Sequence, residues 1–103
     1  MAQRGAISWA YSDIEKGKYE SALQNLSEAE GYMEPTPELK AEILHLRAIC
    51  YVGLGRCDEA IGILKYIIDK FPDSSYAYQA KTILLRLKIS PQRNYPSKNQ
   101  NEI

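Results

Sequence analysis

Apolar residues recur three and four positions apart along most of the chain, the spacing that gathers them on one face of an α-helix. Ile7, Ala10 and Ile14 make the first such stripe, and Leu44, Ala48 and Tyr51 make another. Each stripe runs to a glycine, Gly17 or Gly55, and a second helical pattern follows the glycine: Ala22, Leu26 and Ala29 in one case, Ala60, Leu64 and Ile67 in the other. Gly17 lies over Gly55 at an offset of 38, and alanine and leucine then recur in register. A repeat of this length marks a supersecondary unit, here a helix, a tight turn and a second helix. A third start, Tyr78, Thr82 and Leu85, stands 34 residues beyond Leu44, Ala48 and Tyr51, and Ser90 and Pro91 follow it before another turn glycine.

Punctuation along the chain agrees with this division. Thr36 suits an N-cap and Pro37 the first helical position, while Asp73 and Ser74, after Phe71 and Pro72, suit the start of the last helix. Gly17 and Gly55 allow the turns a backbone that side chains obstruct. Helices are expected over about 3–16, 19–31, 37–54, 58–70 and 74–89. The expected fold is all-α: antiparallel helix-hairpin repeats at about 3–36 and 41–74, then a closing helix at 74–89. Together 1–89 form the domain. The segment 90–103, rich in amides and interrupted by prolines, is expected to be a disordered tail.

Composition narrows the function. A chain of 103 residues, 45% hydrophobic, supports one domain and a modest core. Thirteen basic side chains balance thirteen acidic ones, so no overall field gathers nucleic acid or anionic membrane. No stretch approaches the roughly 20 apolar residues of a membrane span, and the N-terminal residues lack the apolar run of a signal peptide. A cytoplasmic protein is expected, or a periplasmic or envelope-associated one if a signal peptide has been removed. Two cysteines, Cys50 and Cys57, are too few for the disulfide framework of a small secreted domain.

His45 is the single histidine, with Glu42 three residues before it, and no second histidine or cysteine group offers a metal site. Cys50 and Cys57 flank the turn glycine without the spacing of a metal or redox motif and read as packing thiols. Gly53 and Gly55 lack the length, the lysine and the preceding strand of a phosphate loop. Trp9 and the eight tyrosines are scattered, and core or interface is their expected place. Neither an enzyme, a metal site nor a cofactor is expected.

Residues Ala41 to Ser74 resemble a tetratricopeptide repeat, 34 residues with large, small and aromatic positions, a turn glycine and a terminating proline at fixed places. Leu44, Ala48, Tyr51, Gly55, Ala60, Leu64 and Pro72 occupy those places. Departures are Arg47 for the usual leucine, Ile67 for a late alanine, and Asp13 where the first copy should carry an aromatic. The run from Tyr66 to Ala80 is also similar to junctions found in bacterial repeat proteins of the cell envelope and secretion type, which implies a bacterial lineage. Pentatricopeptide repeats have a similar length, but two hairpins would read about two bases and a neutral chain lacks the electrostatics for RNA.

The resemblance implies a protein-protein interaction module, an adaptor, scaffold or chaperone-like protein that takes a peptide or amphipathic helix on the concave face of the first helices. That face falls on Ile7, Tyr11 and Ile14, on Glu42, His45, Leu46, Ile49 and Val52, and on Tyr76, Gln79, Ile83 and Arg86. His45 and Ile49 stand where relatives that clamp a terminal carboxylate carry lysine or asparagine, so an apolar segment is the expected ligand. Ile83, Leu84 and Leu85 are consecutive, and Leu87 and Ile89 follow, so one neighbour cannot cover them all. Leu84 and Leu87 are therefore expected at a self-association surface, and a self-associating structural unit is the alternative function. The partners expected are protein or peptide and a further copy of the chain, with no nucleic acid and no membrane insertion.

Overall fold

The computed structural model describes the backbone of residues 3–32 and 36–93 and the side chains of 5–31 and 36–87. Five helices follow one another: α1 (Gln3–Glu15), α2 (Tyr19–Tyr32), α3 (Pro37–Gly53), α4 (Cys57–Lys70) and α5 (Ser75–Arg93). The first two pack as one antiparallel hairpin and the next two as another. Helix α5 closes onto α4, and α3 touches every other helix that the two hairpins and α5 bring to it: α1, α2, α4 and α5.

Both hairpin turns use one device. Gly17 and Gly55 hold φ near +78° and +79°, in the left-handed region where a β-carbon is strained. Around Gly17 the amide of Lys18 bonds the Asp13 carbonyl at 2.8 Å and the amide of Gly17 bonds that of Ile14 at 3.0 Å. Around Gly55 the amide of Arg56 bonds the Tyr51 carbonyl at 2.8 Å and the amide of Gly55 bonds that of Val52 at 3.0 Å. This paired closure satisfies the carbonyls that a helix end leaves open. The repeat legible in the sequence is therefore also a repeat of backbone conformation.

Helix starts are capped as their residues dictate. Thr36 Oγ1 accepts from the Leu39 amide at 3.1 Å, with Pro37 in the first turn. Ser74 Oγ accepts from the Ala77 amide at 3.1 Å and donates to the Phe71 carbonyl at 2.8 Å, so Ser74, rather than Asp73, fixes the start of α5. The expected stop at Ser90 is corrected: α5 continues to Arg93. Pro91 sits in the last turn, where its missing N–H forfeits a single helical bond and only two residues follow. The rest of the expected tail, 94–103, lies outside the described residues.

The core has two parts that share α3. Ala6, Ile7, Ala10, Ala22, Leu26 and Ala29 meet Ile43, Leu46 and Cys50 on one side. On the other, Ala48 meets Ala60, Leu64 and Ile67, and α5 adds Ala77, Ala80 and Leu87. Alanines at the crossings bring the helix axes close, and each fully buried Leu or Ile then contributes about 1.5–3 kcal/mol. The departures from the repeat pattern are resolved here. Asp13, in the place of an aromatic, accepts from Ser21 Oγ at 2.7 Å and Asn25 Nδ2 at 2.9 Å, pinning α2 by hydrogen bonds instead of by packing. Arg47, in the place of a leucine, reaches Glu30 on α2 at 2.6 Å and ties the first hairpin to the second.

Candidate functional site: the concave face of α1, α3 and α5

Stacking of the hairpins places α1, α3 and α5 side by side, and polar and aromatic contacts cross between them. The Tyr11 hydroxyl on α1 donates to Glu42 Oε2 on α3 at 2.8 Å. One turn further along α3, the His45 ring meets Tyr76 of α5, with centroids 5.1 Å apart and planes tilted by 44°. His45 is only 7% exposed, and its Nδ1 makes no hydrogen bond among the described residues. Burial pushes its pKa below the ordinary value, with the Glu42 carboxylate pulling the other way, so at neutral pH the ring is uncharged.

Beyond His45 a channel opens between α3 and α5. Its first part, about 310 Å³, lies among His45, Ile49, Gln79, Thr82, Ile83 and Arg86, with Tyr78 at the lip. A second part, about 460 Å³, continues along Ile49, Val52, Ile83, Arg86 and Leu87 to Gly53 and Tyr19. Ile49, Ile83 and Arg86 line both, so the two parts form one open groove with an aliphatic floor. Gly53 shapes the far end: the Tyr19 ring occupies the space that a β-carbon there would take.

The sequence-derived residues divide on this geometry. His45, Ile49, Val52, Gln79, Ile83 and Arg86 are brought together on the groove. Glu42 and Tyr76 stand nearer the start of α3 and α5, where with Thr36, Glu38 and Ser75 they line a separate polar recess of about 410 Å³. Tyr11 is partly exposed beside Glu42, and Ile14 packs against the first part of the core. Two residues do not belong to the surface. Ile7 at 0% and Leu46 at 1% exposure are core residues, packed in the first part of the core with Ala22, Leu26 and Ala29 of α2. Tyr19, Gly53, Tyr78 and Thr82 were missed. Tyr19 opens α2 and Gly53 ends α3, and only their mutual packing carries them to the groove.

The closing helix also needs correction. Leu87, expected at a self-association surface, is 7% exposed and belongs to the second part of the core, at the end of the groove, and Leu84 is half-buried on the same part of the core. Among the described residues of the apolar run, Leu85 is the exposed one. The offset of 34 held the signal, since it aligns Leu85 with Tyr51 and so with the side of α3 that faces its own hairpin partner.

Helical hairpins repeated with the same turn geometry, stacked so that their first helices share a grooved face, define an α-solenoid repeat module. The chain belongs to the tetratricopeptide repeat family, whose model matches residues 13–84. No curated protein and no solved structure matches the chain. Membership of this family indicates a module that engages other proteins. Among the described residues no helix is long and apolar enough to cross a membrane.

Proposed function

We propose that the chain is an adaptor whose groove between α3 and α5 holds an apolar segment of a partner protein, as an extended peptide or one face of a helix. The observation that carries this reading is the continuous floor of Ile49, Val52 and Ile83, half-buried aliphatic side chains that line the open groove between α3 and α5. Arg86 on the wall and the unpartnered Nδ1 of His45 supply the few polar contacts that fix register in a mostly apolar site. A carboxylate clamp is disfavoured, since among the described residues Arg86 is the only cation lining the groove.

Panning a displayed random-peptide library against the immobilised protein tests the site. Enriched peptides are expected to carry two or three large aliphatic or aromatic residues, and Ile49→Asp is expected to weaken them at least tenfold, about 1.4 kcal/mol. Circular dichroism checks that this half-buried position leaves the helices intact. Peptides that bind Ile49→Asp and Ile83→Asp as well as the parent protein place the partner elsewhere.

A further inference from the structure

In the second hairpin, Leu44, Ala48 and Tyr51 of α3 turn toward α4 and pack in the core built on Ala60, Leu64 and Ile67. Thirty-four residues later α5 repeats that stripe as Tyr78, Thr82 and Leu85. Here it is bare: Tyr78 is 75% exposed, Leu85 61%, and Thr82 is exposed with them. At about 100° per residue the three fall within about 60° of one another, directly opposite Ala80 and Leu87, which belong to the second part of the core. The chain has thus built the inner face of a third hairpin without a described helix to cover it.

Charge indicates what the covering helix carries. Helix α5 contains Lys81, Arg86, Lys88 and Arg93 and no Asp or Glu. Lys81 borders one side of the stripe and Arg86 the other; both are exposed, and neither has an ion pair among the described residues. In the preceding repeat the residue equivalent to Lys81 is Arg47, which has Glu30 at 2.6 Å. Two copies of α5 laid face to face would bring these basic borders together, which disfavours a second copy as occupant.

We propose that the outer face of α5 is a docking site for an acidic amphipathic helix of another protein, which completes the third hairpin in trans. Its apolar stripe follows that of α4, a small residue with large aliphatic ones four and seven positions on, as in Ala60, Leu64 and Ile67, and its borders carry Asp or Glu. This surface goes beyond the groove reading: Tyr78 and Thr82 stand on the lip between the two, while Leu85 lines no part of the groove.

The probe is a labelled peptide copying the 14 residues Cys57–Lys70, with Cys57→Ser, Lys65→Glu and Lys70→Glu, titrated by fluorescence anisotropy against the full chain. Saturable binding is expected, weakened at least about tenfold by Leu85→Glu and left unchanged by Ile49→Asp. Lys81→Glu is expected to weaken the acidic peptide and to favour a version keeping both lysines, a reversal that loss of packing alone cannot produce. Circular dichroism checks the fold of Leu85→Glu, with Leu85→Ser as the second variant. Absence of saturable binding, or binding that survives both Leu85 variants, overturns the proposal. Loss through Ile49→Asp instead assigns the helix to the groove, and a dimer by light scattering that Leu85→Glu dissolves assigns the face to a second copy.

Discussion

Single side chains here act through what burial does to them. Cys50 is enclosed between α3 and the first hairpin, and burial pushes its thiol up to about 11, against the pull of Arg47, so it is inert packing rather than a nucleophile. His45 makes the opposite move, with burial lowering its pKa from 6.5. A base whose pKa is lower in the folded state binds protons more readily when unfolded, so its contribution to stability is complete above about pH 6.5 and is lost as pH falls through the folded value. Thermal melts between about pH 7.5 and about pH 5 are therefore expected to show a falling midpoint, and His45→Phe to flatten that part of the profile. An equal slope in His45→Phe would assign the acid sensitivity to carboxylates. The sequence identified His45 and Glu42 as neighbours on one helical turn, but the Tyr76 ring that completes the enclosure comes from α5, beyond any local spacing rule. Asp13 was legible only as a departure from pattern, because its partners Ser21 and Asn25 lie across a turn.

Helices and turns were the most legible level, since their determinants are local. A glycine forced to φ near +79° and a Thr or Ser ahead of a helix act within a few residues, and all appear where the pattern places them. Gly17→Ala and Gly55→Ala are expected to cost about 1–2 kcal/mol each through the left-handed backbone, since open space surrounds both β-carbon positions. Denaturant unfolding checks this, and a cost near zero would mean that the turns relax. Gly53 differs: there the backbone is ordinary and the obstacle is the Tyr19 ring. What local rules could not set was the rotation of α5. Ile83, Leu84 and Leu85 are equally apolar, and the position of α4 decides that Leu84 is covered and Leu85 is not.

At the scale of the molecule, α3 is the shared element. Ile43, Leu46 and Cys50 face the first hairpin, Leu44, Ala48 and Tyr51 face α4, and Arg47 bridges to α2. The two parts of the core are joined through one helix backbone, and loosening either removes one side of its support. Leu26 is fully buried in the first part and distant from α4 and α5. Leu26→Ala is expected to cost about 2–5 kcal/mol. Native-state hydrogen exchange decides how that cost spreads. If α3 couples the hairpins, amide protection falls in α4 by nearly as much as in α2, although no side chain of α4 has lost a contact. Protection lost in α1 and α2 alone would mean that the second hairpin holds α3 and α5 by itself. The groove between α3 and α5 would then survive opening of the first hairpin, and partner binding would not depend on it.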